Sequence, residues 1–426
     1  MLGGTNAVAD SAGAAPAWAG VPRIVTFTTL FPNAAAPSHG VFVENRLRHL
    51  IASGRAAARV VAPVPWFPSG AAMFGDYARF TKAPKREERH GLAIEHPRYP
   101  VVPKVGMTAA PLLLFLAALP VLRRLHEVAD FDLIDAHYFY PDGVAAALLG
   151  RALGKPVVIT ARGTDINLIP RHRLPRRMIR WAGAQAAGMI AVSEALRRAM
   201  IAIGLPAHRI RTLRNGVDLT MFQPTERDAT RRILGLNGPT LLSVGHLIER
   251  KGHDRVIGAL PKLPGFSLLI AGEGPERSHL EAQASMLGVS ERVRFLGAIP
   301  HAELARIYSA VDALVLASSR EGWPNVLLEA MACGTPVVAS NVWGAPELVC
   351  DPAAGVLMPS LSAQGVVDGV KALFAALPAR DATRRFAERY SWDETTAGQV
   401  RLFEEVLAAR RATKLPPAGA LRARAF

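Results

Sequence analysis

Short apolar runs alternate with amphipathic stretches along most of the chain. The first series of runs is RIVTFTT (23–29), ARVVAPV (58–64), LIDAH (133–137), PVVITA (156–161) and GMIAVS (188–193). A second is TLLSVG (240–245), SLLIAG (267–272), VRFLG (293–297), ALVLAS (313–318) and PVVAS (336–340). Each run is short, rich in β-formers and followed by a turn or a helical pattern such as FVENRLRHLIAS or HAELARIYSAV. Continuous apolar strands separated by helices predict parallel sheets covered on both faces. Two such series predict an α/β protein of two doubly wound, Rossmann-like domains. Turn residues and Pro224 gather in RNGVDLTMFQPTE (214–226), which marks the expected seam. The pattern thus divides into a tail (1–20), an N-terminal domain (21–215), a C-terminal domain (216–391), a helix returning to the N-terminal domain (392–411) and a second tail (412–426).

In such sheets ligands bind beyond the carboxyl ends of the strands. Two domains face to face would build a cleft from two sets of loops, and SSREGWPNVLLEAMACGTPVVAS (318–340) lies in one of them. Pro324 suits the first position of a helix, and Gly334 suits its end. Glu321 then precedes the helix, while Glu329 stands inside it, roughly 7.5 Å along the axis. Between them is a helix N-terminus at Trp323, Pro324 and Asn325, with unpaired N–H groups that favour an anion. A nucleotide sugar has a diphosphate flanked by two polyols, and carboxylates accept hydrogen bonds from hydroxyls. On that layout Glu329 would hold the ribose and Glu321 the transferred sugar. Glu329 lies among apolar residues, so it needs a partner, either a bound hydroxyl or a basic side chain.

REGWPNVLLEAMACGTPVVAS resembles the E-x7-E motif of the family 4 glycosyltransferases, and LRNGVDLTMFQP resembles their inter-domain segment. The similarity extends over about residues 22 to 411 and is greatest to capsule, exopolysaccharide and teichuronic-acid enzymes. It implies the GT-B fold and a retaining, metal-independent transferase that uses a nucleotide-diphospho-sugar. It also implies that Arg250 and Lys251, in SVGHLIERKG, grip the donor diphosphate; a solvated basic turn is the other reading of that pair. His246 stands where the family usually has Arg. His137, at the end of LIDAH, is expected to line the donor sugar, although packing among Tyr138, Phe139 and Tyr140 would also explain it. Arg162 and Asp165, in TARGTDINL, are similar to the family's H-G-x-D loop, with Arg in place of His. They are expected at the acceptor, with Asp165 as a simple helix cap on the alternative reading. Gly40 would let backbone approach a phosphate, and Gly274 would stand near the nucleotide. The resemblance alone puts the base near residues 297–300.

Charge adds a partner. The net charge is +15, and through Asp218 there are 27 Lys and Arg against 14 Asp and Glu. The N-terminal half is therefore drawn to something anionic. PRHRLPRRMIRW (170–181) concentrates that charge and is expected to meet anionic lipid or a lipid-diphosphate acceptor. No nucleic-acid motif is present. The run from Val105 to Leu122 carries no charge and reads as a buried helix or hairpin, with insertion into one leaflet as the alternative. Asp130 and Asp132 imitate a D-x-D metal motif but precede a strand, on the wrong edge, and no metal or other cofactor is expected. Two cysteines, Cys333 and Cys350, build no disulfide framework, and the first 20 residues lack a signal-peptide pattern. The expected place is the cytoplasm, at the inner face of the plasma membrane. Two other readings remain, a nucleotide-sugar epimerase or phosphorylase on this fold, and a non-enzymatic basic membrane-binding protein.

Overall fold

The structure is a computed structural model that describes residues 20–66, 82–101 and 107–414. Apart from Gly20 and residues 412–414, the two expected tails lie outside the described residues, as does the start of the apolar run at Val105. All ten runs read as strands form strands, each close to its expected limits. They divide between two sheets. One runs, in spatial order, Ile210–Thr212, Gly188–Ala191, Val157–Ala161, Leu133–His137, Arg23–Phe27, Ala57–Val61, Leu92–Glu95 and Arg86–Arg89. The other runs Val293–Gly297, Ser267–Ala271, Thr240–Val244, Ala313–Leu316, Val337–Ser340 and Gly355–Met358. The pairings are parallel within the second sheet. Numbered along the chain, its order is 3-2-1-4-5-6, the doubly wound arrangement. These are two Rossmann-like domains.

The pattern missed the short and charged strands. Arg86–Arg89 is REER, an outer strand that pairs antiparallel with Leu92–Glu95. The two are joined at His90 and Gly91, both with positive φ, which is the geometry of a tight hairpin turn. A charged edge strand carries no apolar run to detect, and charge there discourages pairing with another chain. Ile210–Thr212 has three residues, too few for a periodic signal, whereas Gly355–Met358 has four, as many as Val337–Ser340, and the pattern missed it all the same.

The last helix spans Trp392–Lys414. Its Val400, Phe403 and Val406 share one buried cluster with Ile24, Leu47, Leu50 and Val60 of the first sheet and its covering helix. Each such side chain buried from water contributes about 1.5–3 kcal/mol. The apolar run is a helix, Ala110–Ala129, with Pro120 inside it. Leu114, Ala118, Leu122 and Leu125 recur at helical spacing and are buried, while Leu112 and Leu116 on the other side are exposed. Among the described residues no helix is long and apolar enough to cross a membrane.

Candidate active site

In the second sheet the strand order reverses between Thr240–Val244 and Ala313–Leu316. The loops leaving those two strands therefore flank a crevice. They carry Arg250–Lys251 and Arg320–Glu321, far apart in sequence, and the backbone zips them together. Ser319 N donates to Arg250 O at 2.9 Å, and Arg250 Nη1 donates to Arg320 O at 2.9 Å. Gly252 allows this approach, because it has φ +73° and a Cβ there would lie 2.1 Å from Ala317 O. Lys251 Nζ then reaches Glu321 Oε1 at 2.7 Å, with Arg250 Nη1 at 3.9 Å. Burial alone would raise the Glu321 carboxyl, but the charges of Lys251 and Arg250 outweigh it and hold the group below the ordinary value. Glu321 is thus an ionised acceptor with two cations beside it.

These groups line a cavity of about 410 Å³. Its second wall comes from the first domain and includes Leu30, Phe42, Tyr138, Arg162, Gly163 and Asn167. Trp323, Pro324 and Asn325 also line it. The helix following them spans Asn325–Ala332, so Pro324 is the residue before the helix, not its first residue as expected. Its backbone, at ψ 85°, has not yet entered helical geometry. Gly334, at φ +77°, follows the helix end as expected. Trp323 Nε1 donates to Asn215 O at 3.0 Å, and Asn215 Nδ2 donates to Asn325 Oδ1 at 3.2 Å, so the glutamate loop is tied to the segment joining the domains. Where the domains touch, Gly163 meets Gly322, whose own Cβ would lie 2.0 Å from Arg162 O.

Glu329 has the partner that its burial demands, and in fact two. His301 Nε2 is 3.0 Å from its Oε1, and Tyr308 OH donates to its Oε2 at 3.0 Å. Sequence reasoning asked for a basic side chain or a bound hydroxyl and missed both residues. The signal was available in HAELARIYSAV, whose His301 and Tyr308 fall at i and i+7, two turns apart. Glu329 is not among the residues lining the central cavity.

The first domain's wall is organised differently. His137 is buried, and both its ring nitrogens are bonded. Nε2 lies 3.2 Å from Asp135 Oδ2, and Nδ1 takes an Arg162 Nη2 hydrogen bond. Burial lowers the imidazole to about 4, so it is neutral at neutral pH. Arg162 lines the cavity; His137 does not. Arg162 also reaches Asn215 Oδ1 at 3.3 Å and stands over the Phe42 ring. Asp165 is no helix cap. Gly163 precedes the short helix Thr164–Asn167, and the Asp165 carboxylate reaches back to accept from Phe139 N at 2.7 Å, Gly163 N at 2.7 Å and Arg162 N at 3.1 Å. Behind it Gln399 of the last helix donates to Asp135 at 3.0 Å, and Arg46 Nε donates to Gln399 Oε1 at 2.9 Å. None of Asp135, Arg46 and Gln399 stood out in the sequence, because nothing local distinguishes a buried charge from a solvated one.

Besides His137, Glu329 and Asp165, three further expected residues are not on the cavity wall. A Cβ on Gly40 would lie 2.3 Å from Leu30 C, and one on Gly274 would lie 2.4 Å from Leu247 O. Each glycine thus permits close backbone packing within its own domain. His246 is exposed on the loop ahead of Arg250. Asp130 and Asp132 are taken up by Lys155, His126 and Arg23 at the entrance of strand Leu133–His137, the edge remote from the cavity. Among the described residues no group of three or more His, Cys, Asp or Glu is placed to hold a metal ion.

The fold and crevice define a protein of two Rossmann-like domains with a cavity between them. Two family models cover most of the chain: Glycosyltransferase Family 4 matches residues 77–221, and Glycosyl transferases group 1 matches residues 226–389. A D-inositol 3-phosphate glycosyltransferase of Segniliparus rotundus is 31% identical over 70% of this chain and 70% of its own length. A Bacillus subtilis protein named for teichuronic acid biosynthesis, TuaC, is 28% identical over 76% of this chain and 82% of its own. Among solved structures, sucrose-phosphate synthase from Thermosynechococcus elongatus superposes with a TM-score of 0.75 at 20% identity, covering 91% of this chain and all of that one. HepE from Anabaena, in complex with UDP, superposes at 0.67 and 22% identity, covering 93% and 100%. The chain belongs to the family 4 glycosyltransferases and is a glycosyltransferase of GT-B fold.

Proposed function

We propose that the enzyme transfers a sugar from a UDP- or GDP-linked donor to a polysaccharide or lipid-linked acceptor, with retention of anomeric configuration and without a metal. The observation that carries this reading is the Lys251–Glu321–Arg250 cluster at the switch point of the second sheet, facing the first domain across the cavity. Arg250 and Lys251 neutralise the departing diphosphate, together with the positive N-terminal end of the helix Asn325–Ala332. Glu321 accepts hydrogen bonds from the sugar hydroxyls, and Glu329 accepts from the ribose. The bond from the sugar's anomeric carbon to phosphate breaks, and one from that carbon to the acceptor oxygen forms. The acceptor's hydroxyl proton passes to the departing phosphate oxygen, so no side-chain base is required. This suits a first-domain wall behind which His137 is neutral and has both ring nitrogens bonded. Catalysis is then positioning and charge stabilisation.

The acceptor enters along the first domain, where Arg162 and Asn167 line the cavity. The helix Arg173–Gln185 follows directly, with Arg173, Arg176, Arg177 and Arg180 exposed, which supports an anionic membrane face there. The structural relative HepE forms complexes with UDP and with UDP-glucose, which supports a uridine donor here. The test is binding and turnover of nucleotide sugars. UDP or GDP at about 100 times its dissociation constant stabilises the fold by about 2.7 kcal/mol, read as a thermal shift. Nucleoside diphosphate release from UDP- or GDP-sugars then requires a lipid extract as acceptor. If neither nucleotide shifts the melting temperature, the donor reading fails.

A further inference from the structure

The Glu329 carboxylate is held from two directions before any ligand arrives. Tyr308, fully buried on the helix Leu304–Ala310, donates to Oε2, and His301, on the turn before that helix, meets Oε1. A carboxylate only accepts, so His301 Nε2 is the donor in that bond. Phe222, from the segment joining the domains, packs edge-to-face against both rings, with centroids 5.0 Å from His301 and 6.1 Å from Tyr308. That backing fixes both donors.

A carboxylate has about four acceptor positions, two on each oxygen. Two are used internally, one on each oxygen, which leaves a matched pair, again one on each. A vicinal diol, with two neighbouring hydroxyl donors, fits such a pair. His301 keeps 29% of its side chain exposed and Glu329 keeps 11%, so the cluster opens to solvent at the His301 side. A carboxylate on a flexible stem must otherwise lose rotamer freedom on binding, and a preset one does not.

We propose that His301 and Tyr308 are positioning residues that preset Glu329 as a receptor for the 2′,3′-diol of the donor ribose, and so set the preference for ribonucleotides over deoxyribonucleotides. This rests on the reading of Glu329 as the ribose acceptor. His301 and Tyr308 act through the carboxylate, so their effect appears as selectivity between two ligands.

The test uses the full chain and calorimetric titration with UDP and 2′,3′-dideoxy-UDP, and with the guanosine pair. The unaltered protein binds the ribonucleotide more tightly by about tenfold or more. His301→Ala lowers that ratio at least about fivefold, whereas His301→Gln, whose amide still donates, keeps most of it. Tyr308→Phe also lowers it, and melting temperatures confirm that each variant is folded. A loss of overall affinity with an unchanged ratio would be the mark of a merely structural role. If Glu329→Gln loses the ratio while both His301→Ala and Tyr308→Phe keep it, the positioning inference is wrong and the ribose reading stands. If Glu329→Gln also keeps the ratio, or the unaltered protein shows no preference or binds neither nucleotide, the ribose reading falls and takes this inference with it.

Discussion

The two walls of the cavity are both rich in charge, yet they use it in opposite ways. On the second domain, Arg250, Lys251 and Glu321 pair with one another and still line the cavity. On the first, Asp165, Asp142 and His137 are buried and spend their hydrogen-bonding capacity inward. Asp165 serves three backbone N–H groups, and Asp142 accepts from Thr29 N at 2.6 Å and from the hydroxyls of Thr28 and Thr29. Charge that faces a cavity is available to a ligand, whereas charge turned inward holds loops in place. The same residue types thus stay open to the cavity on the second wall, while on the first, Arg162 apart, they hold backbone in place.

Breaking the cavity-facing side has the largest expected effect. Lys251→Met removes the nearer of the two cations beside Glu321, and Glu321→Gln removes the acceptor charge. Each lowers nucleoside diphosphate release by about 10²–10³-fold, the usual cost of removing one electrostatic group from a reaction centre. Full activity in both variants would erase the distinction between the walls. On the other side, Asp165→Ala strips three backbone donors and costs about 3 kcal/mol in urea denaturation. The nucleotide affinity of the folded protein should stay near its starting value. A collapse of affinity without a loss of stability would mean that the first wall, too, works directly on the donor.

A pH experiment sharpens the contrast. Burial raises the Asp142 carboxyl to about 7, in spite of its bonds to Thr29 and Thr28. The folded chain therefore holds that proton more tightly than the unfolded one. The resulting stability is complete below the unfolded value, near 4, and is lost as pH rises through about 7. Between pH 5 and 8 the loss from this group is about 3 kcal/mol, and Asp142→Asn removes that dependence. Glu321 has the reverse sign: its lowered value gives stability above the unfolded value that disappears as pH falls. The smallest effect belongs to the basic helix. Exchanging Arg176 or Arg177 for Ser weakens binding to vesicles containing anionic lipid by about 1 kcal/mol each, with no change for zwitterionic vesicles. Equal binding to both vesicle types would remove the membrane from the proposal.

Much of the architecture was legible in the chain. Buried parallel strands are continuous apolar runs, and helices between them keep their own period, so all ten expected strands formed. A strand of three residues, such as Ile210–Thr212, or one made of charges has no such signal, and Arg86–Arg89 is known only by its pairing. The glutamate motif and the basic pair were readable as well, because loop chemistry at a strand end is a local property.

The sequence by itself determined the two sheets, the crevice-forming loops and the residue types that those loops carry, since periodicity and turn chemistry act over a few residues. Only the tertiary structure decided which charges meet. It joined Lys251 to Glu321 across 70 positions, closed His301 and Tyr308 on Glu329, and turned His137 inward behind Arg162. The physical reason is that the environment of a charge depends on burial and on partners brought from distant segments, and neither is written within any short stretch of the chain.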